Sequence, residues 1–362
     1  MVDLAVFRNI DIGSHKGTYS VFFEPDLNRI LKQYNNNNKA HFIIDSKVAS
    51  LYSAELDTVL SDKNTIIVEA TEDNKSIEKI VPIFNRLVNN HVRRQHQLIA
   101  IGGGIIQDIA CFIASTLLRG IPWKFLPTTL LAQADSCIGS KSSINLGSFK
   151  NIIGTFNPPV EIFICHKFLN TLDPKDINSG IGEILKVHAI DSMSSFDNLC
   201  LDYDKLHSDQ KVLSNYIYRS LLIKKRYIEE DEFDQGIRNI FNYGHSFGHA
   251  IEAATNFHIP HGIAVSMGMD IANFISSEKN LVPKHHYDRM HNVLKKNYNP
   301  YLNETIPIDS MFTALLKDKK NTTDNLVLIF PVGAQASIER VEIKPDRLFS
   351  EYLKQSIVHL TQ

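Results

Sequence analysis

Gln97-Leu98-Ile99-Ala100-Ile101-Gly102-Gly103-Gly104-Ile105-Ile106-Gln107-Asp108 reads as a buried strand that runs straight into three glycines, followed by a helical pattern through Leu118. Glycines between a strand and a helix let the backbone approach a pyrophosphate, and the first helical turn offers its N–H groups to that charge. The triplet is not a G-x-G-x-x-G, and a tight strand-to-helix turn could use the same residues without a ligand. Working outward, His41-Phe42-Ile43-Ile44 and Thr65-Ile66-Ile67-Val68 are further short apolar runs, with helical patterns at about 47–60 and 76–92. That alternation predicts a parallel sheet flanked by helices. Thr128-Thr129, directly after Phe125-Leu126-Pro127, place hydroxyls beyond another strand end, where ligands sit in such sheets. Residues 4–24 alternate like a hairpin around Asp11-Ile12-Gly13-Ser14, and Gln33-Tyr34-Asn35-Asn36-Asn37-Asn38-Lys39 reads as an exposed low-complexity loop.

The frame around this stretch is that of a metabolic protein. A chain of 362 residues exceeds what one core supports, about 250–300 residues, so two domains are expected. The net charge is −2 with no long basic run, which argues against nucleic acid and for small charged metabolites. Cys111, Cys137, Cys165 and Cys200 lack any C-x-x-C spacing, so neither a disulfide frame nor an all-sulfur zinc site is expected. The N-terminus has no apolar signal core, and the apolar stretch from Ile99 to Leu118 is interrupted by Gln107 and Asp108. The expectation is a soluble cytoplasmic protein without a membrane partner.

Between the apolar stretches Leu130-Leu131-Ala132 and Ile152-Ile153-Gly154 lies a dense polar segment: Gln133, Asp135, Ser136, Ser140, Lys141, Ser142, Ser143, Asn145, Ser148, Lys150 and Asn151. As a plain solvated loop it would need no explanation. Its apolar flanks make Lys141, Lys150 and Asn151 candidates for anion binding. From Pro174 strand patterns give way to helical periodicity through roughly residue 320, which divides the chain into domains 1–174 and 175–362. The first helix there carries Gly182-Glu183-Ile184-Leu185-Lys186-Val187-His188, with Glu183 and Lys186 on one face. Such pairs are usually exposed and worth little, but this one sits in an otherwise apolar segment.

In Gly236–Glu252, Arg238, Asn242, His245 and His249 follow the rhythm of one α-helical face, a stripe that ordinarily belongs to Leu, Ile and Val. Gly244 and Gly248 beside it each cost a helix about 1 kcal/mol relative to Ala, so something must come close to this helix. His245 and His249 lie one turn apart, His261-Gly262 opens the next apolar helix, and Glu183 is a carboxylate in an apolar one. Imidazole and carboxylate are zinc donors. The residue chemistry leaves open which three would be the ligands.

Gly103-Gly104-Ile105-Ile106-Gln107-Asp108, Pro127-Thr128-Thr129-Leu130-Leu131-Ala132, Glu183-Ile184-Leu185-Lys186, Asn242–Glu252 and Asp318-Lys319-Lys320-Asn321 together resemble 3-dehydroquinate synthase and its sugar phosphate cyclase relatives, in unbroken order from about residue 40 to 330. The resemblance implies a Rossmann-like α/β N-terminal domain that binds NAD, an all-α C-terminal metal-binding domain, and a homodimer. It implies that Glu183, His245 and His261 hold Zn2+ (or Co2+) while His249 faces a phosphorylated small-molecule substrate. Asp135, Lys141, Asn151, Lys186, Lys224, Arg238, Asn242, His249 and Lys319 would surround that substrate, with Arg119 reaching into the partner subunit's site. NAD would meet Asp45, Glu72, Lys75, Gly103, Gly104, Asp108, Thr128, Thr129, Lys150, Phe168 and Thr171. Such enzymes transiently oxidise a ring hydroxyl, eliminate phosphate, reduce the ketone again and close a carbocycle by an aldol step. The implied parts suit that work: zinc polarises hydroxyl and ketone oxygens, nicotinamide takes and returns a hydride, and clustered cations bind phosphate and carboxylate.

The chain departs from the family wording at Gln107, where Gly is usual, at Asp234, where Glu is usual, and through Gly139–Asn151. That last segment resembles relatives that cyclise neutral sugar phosphates, such as 2-deoxy-scyllo-inosose synthase. Arg238 and Asn242 point to an acid instead, because a guanidinium fork in a buried site wants a carboxylate. The first expectation is therefore a lyase that converts 3-deoxy-D-arabino-heptulosonate 7-phosphate, or a close seven-carbon keto-acid phosphate, to 3-dehydroquinate and phosphate. A cyclase for a neutral sugar phosphate is the second, and a non-catalytic NAD- and metal-binding homologue the third.

Overall fold

The computed structural model describes residues 9–34, 37–147, 149–318 and 320–361. It divides into two compact units: residues up to Leu172 together with Lys224–Phe233, and Asp173–Ile223 together with Asp234 onward.

The first unit is built on β1 (Ile10–Ile12), β2 (Tyr19–Phe23), β3 (Ala40–Asp45), β4 (Thr65–Val68), β5 (Gln97–Gly102), β6 (Trp123–Pro127), β7 (Lys141–Leu146), β8 (Phe149–Phe156) and β9 (Glu161–Ile164). Seven of these form one sheet in the order β1-β2-β9-β6-β5-β3-β4, parallel except for the β1–β2 pair. β3 and β5 are buried almost end to end, as continuous apolar strands covered on both faces must be. The chain leaves β3 toward β4 at one edge and leaves β5 toward β6 on the other side. Their C-terminal ends therefore flank a topological switch point, the place where open α/β sheets bind ligands. Asp45 ends β3 and caps the following helix by accepting from the Lys47 amide at 3.0 Å.

The polar segment after Gln133 is not a loop. A π-helical turn over Ala132–Ser136 leads into the antiparallel β7–β8 hairpin, with Lys141 opposite Phe156 and Ile144 opposite Ile153. Its polar side chains pair across and beyond the ladder: Ser142 Oγ meets Thr155 Oγ1 at 2.8 Å, and Asn145 Nδ2 donates to Glu72 Oε1 at 2.9 Å. Satisfied this way, polar residues no longer need solvent. The helical pattern expected at 47–60 is likewise two short helices, Ser46–Leu51 and Asp57–Leu60.

The second unit is helical, with one hairpin of β10 (Leu326–Val332) on β11 (Ser337–Ile343) that the all-α expectation did not include. Its centre is the helix His261–Glu278, buried at every residue from Gly262 to Ser276 because other elements cover it all round. The Pro174–Asp191 helix crosses it so closely that a Cβ on Gly182 would lie 2.0 Å from the Gly262 carbonyl oxygen, and one on Gly262 1.8 Å from that of Ser179. Ser179 Oγ accepts from the Gly262 amide at 2.9 Å, satisfying an N–H that the first helical turn leaves over. Glu183 follows Ser179 by one turn, so the contact that glycine permits also brings Glu183 to His261. Gly182→Ala forces backbone apart and is expected to destabilise the protein by about 1–3 kcal/mol, read as a lowered melting temperature.

The stretch Gly236–Glu252 corrects the reading of one continuous helix. Ile237–Asn242 is a 3-10 helix, and the α-helix begins only at His245. Gly244 separates them with φ +76°, a conformation that side chains resist, and a Cβ there would meet the Val265 carbonyl oxygen at 2.6 Å. Gly248 likewise faces the backbone of Ala264 and Val265 at 3.1 Å. What comes close to these glycines is the His261–Glu278 helix. Among the described residues, no helix is long and apolar enough to cross a membrane.

Candidate functional site

In the second unit the starts of two helices, at His245 and His261, meet the middle of the Pro174–Asp191 helix at Glu183. Glu183 Oε1 lies 3.3 Å from His261 Nε2 and 3.7 Å from His245 Nε2, yet receives no hydrogen bond. The other oxygen of that carboxylate is bound by the Lys186 ammonium, and both side chains are 2–3% exposed. This pair is a buried one, not the surface pair that i, i+3 spacing usually produces. Burial alone would raise the Glu183 pKa, but Lys186, His245 and His261 hold it well below the usual carboxylate range. Burial, with Lys186 adding to it, keeps His245 well below the usual imidazole range, so it is neutral and has a lone pair to give. His261 behaves oppositely: burial disfavours its charge, but Glu183 and Glu252 together hold it up to about 10.

The ring nitrogens of His245, His249 and His261 also approach within 4.8 Å of one another. His245 and His261 thus belong to either possible donor set. His249 is exposed, whereas Glu183 is 1% exposed and carries a lone-pair oxygen with no donor. A buried anionic oxygen that faces two imidazole nitrogens and has no hydrogen-bond partner fits a divalent cation, whose usual donors are of this kind.

Beside this cluster, Arg238 is buried on the 3-10 helix and Asn242 Oδ1 accepts from Lys320 Nζ at 2.9 Å. Lys320 belongs to the Asp318-Lys319-Lys320-Asn321 motif but is not among the expected site residues, which include its neighbour Lys319, outside the described residues. Lys186 also sits 5.7 Å from the centre of the Phe241 ring, which helps hold its ammonium in place.

The first unit brings part of its predicted residues to the β5 loop and the helix that follows it. Gly103 is the N-cap of the Gly104–Thr116 helix, and no side chain caps that terminus. A Cβ on Gly103 would press to 3.0 Å from Thr129 Cγ2, while one on Gly104 would meet nothing within 4 Å. The loop is therefore open in front of the helix N-terminus and closed behind it by Thr129, a shape suited to an anionic group drawn by the helix dipole. Thr128 is buried, its amide donating to the Gly102 carbonyl at 2.9 Å.

Lys75, 7% exposed, links several of the others: its Nζ lies 3.2 Å from Asp108 Oδ2, 2.9 Å from Asn151 Oδ1 and 3.5 Å from Glu72 Oε1. Asp108 also accepts from the Ser143 amide at 3.0 Å, and burial raises its pKa despite Lys75. Asn151, read as a substrate group, is here tied to the residues read as meeting NAD, with φ +54° and its amide donating to Asn145 Oδ1 at 2.8 Å. Lys224 Nζ donates to the Asp135 carbonyl at 2.7 Å and lies 3.1 Å from its Oδ2. Phe168 packs edge-on against Tyr52, ring centroids 5.0 Å apart, in the core, and Thr171 Oγ1 pairs with the Tyr52 hydroxyl at 2.9 Å. Lys141, Lys150 and Arg119 are exposed, Arg119 at φ +66°.

The family descriptions and the sequence relatives name the same family. The family description "3-dehydroquinate synthase N-terminal" matches residues 65–179 and "3-dehydroquinate synthase C-terminal" matches residues 180–321. A 3-dehydroquinate synthase of Dictyoglomus thermophilum is 35% identical over 332 residues, covering 90% of this chain and 93% of that protein. Among solved structures, 2-epi-5-epi-valiolone synthase from Streptomyces hygroscopicus, with NAD+ and Zn2+ bound, superposes at a TM-score of 0.80 with 25% identity, covering 94% of this chain and 96% of that one. A 2-deoxy-scyllo-inosose synthase also superposes at 0.80 with 25% identity, covering 96% and 99%.

Proposed function

The chain belongs to the 3-dehydroquinate synthase family, and from that premise we propose that it is a phosphate-eliminating, carbocycle-forming lyase acting on 3-deoxy-D-arabino-heptulosonate 7-phosphate or a close seven-carbon keto-acid phosphate. Its cofactors would be NAD and a divalent cation, Zn2+ or Co2+, and it would work as a cytoplasmic homodimer. The observation that carries the choice of an acid substrate is the buried Arg238, on the turn whose Asn242 is held by Lys320. A planar guanidinium fork matches a carboxylate better than it matches a neutral hydroxyl.

Glu183, His245 and His261 would hold the cation, and the Gly103–Gly104 loop with Thr128 and Thr129 would hold NAD. When bound, the cation polarises a substrate oxygen and the nicotinamide accepts and returns a hydride. His249, exposed beside the donor cluster, would hold or pass a proton at the substrate. Lys186 and Arg238, with their cationic neighbours, bind the anionic groups and fix the sugar for reaction.

The test is phosphate release across a panel of sugar phosphates. Turnover of 3-deoxy-D-arabino-heptulosonate 7-phosphate, with none for glucose 6-phosphate or sedoheptulose 7-phosphate, supports the reading. The β7–β8 hairpin, whose wording departs from the family's, favours a second reading as a cyclase of neutral sugar phosphates. Robust turnover of either neutral compound would establish that alternative. In both cases hydride is returned within each cycle, so phosphate should accumulate over many turnovers while NADH absorbance stays flat. Stoichiometric NADH would point to an ordinary dehydrogenase.

A further inference from the structure

The His261 imidazole lies between two carboxylates. Its Nε2 faces Glu183 Oε1 at 3.3 Å and its Nδ1 faces Glu252 Oε2 at 3.3 Å. Glu252 is on the His245–Ala254 helix, two turns beyond His245, and its side chain is only 13% exposed. Two turns bring residues seven apart onto one face, so a single helix carries both His245 and the group behind His261. His245 is braced in a different way: its Nδ1 lies 3.3 Å from the carbonyl oxygen of Tyr243, whose own hydroxyl donates to Asn273 Oδ1 at 2.5 Å deep in the core.

We infer that Glu252 is a positioning residue for the metal centre: it accepts the Nδ1 proton of His261, fixes the tautomer that leaves the Nε2 lone pair free, and holds the ring toward Glu183 and His245. A neutral imidazole has one proton for two nitrogens, and the partner of one nitrogen decides which atom can coordinate. A carboxylate in that place also makes the ring a stronger donor. The inference rests on the reading of His261 as a ligand.

Metal affinity tests it without any assay of turnover. Zn2+ alone is titrated into the metal-free full-length protein against a chromophoric chelator, and Co2+ alone provides a visible spectrum that reports ligand geometry. Glu252→Ala should weaken Zn2+ binding by about 10- to 100-fold and alter the Co2+ spectrum. Glu252→Gln keeps an acceptor oxygen without the charge and should lose less. The metal-free Ala variant should unfold at the same temperature as the parent; if it fails to fold, the Gln variant carries the test. Parental affinity and an unchanged Co2+ spectrum in both variants would overturn the inference. His261→Ala separates the two levels: if it abolishes tight binding while Glu252→Ala does not, only the role of Glu252 is lost. If His261→Ala keeps parental affinity, the ligand reading falls as well.

Discussion

Arg238→Ala is expected to lower kcat/KM for the keto-acid phosphate by roughly 30-fold to several thousand-fold. The range follows from losing a buried charge-assisted pair, about 2–5 kcal/mol, at about 1.4 kcal/mol per decade of rate. Arg238 is 8% exposed, which puts it near the upper part of what such residues contribute, since little water can replace the guanidinium. Arg238→Lys should recover only part of the loss, because a point charge cannot reproduce two parallel N–H donors. The defect should depend on the substrate carboxylate. A neutral sugar phosphate turned over equally well by parent and Arg238→Ala would leave the residue structural and favour the second reading.

Glu183→Ala should be as damaging, for two separable reasons. On the proposed ligand set it removes one of three donors, so the purified variant should carry no tightly held divalent ion, and His245→Ala or His261→Ala should do the same. His249→Ala should instead keep the metal and lose turnover. Full occupancy in the Glu183, His245 and His261 variants would sink the ligand assignment. In addition, Glu183→Ala leaves the Lys186 ammonium, 3% exposed, without its carboxylate. Breaking a buried pair from one side costs about 3–5 kcal/mol, which lowers the melting temperature by roughly 6–20 °C in a unit of this size. Combining it with Lys186→Met should restore much of that stability, since an apolar side chain tolerates the interior, but should not restore metal. A double variant as unstable as Glu183→Ala would show that the ion pair is not what the single substitution broke.

Much of this molecule is written in short-range pattern. Continuous apolar runs ending in Gly102-Gly103-Gly104 and in Thr128-Thr129 are enough to predict parallel strands and the ends at which they bind ligands. Alternation and strand propensity act between neighbours along the chain and depend little on what packs above them. The candidate donors stand out for the same reason, although which three of them act together does not: neither Glu183 in an apolar helix nor histidines at helical spacing need a structure to look out of place. Local pattern misled where contact across the fold overrides it. A continuous polar stripe over Arg238–His249 is good helical periodicity, but the helix is broken at Gly244, because the His261–Glu278 backbone occupies the space that a regular turn and its side chain would need. The serines and asparagines after Gln133 look like a loop until Asp108, Glu72 and Thr155 supply partners from elsewhere in the chain. Whether Glu183 and Lys186 form a surface pair or a buried one is decided by Gly182 and Gly262, which let two helices meet at backbone distance. Lys320 against Asn242, 78 residues away, and Glu252 behind His261 are contacts of this second kind. Spacing along a helix sets which way a side chain points, and only the packed fold supplies the atom that it meets.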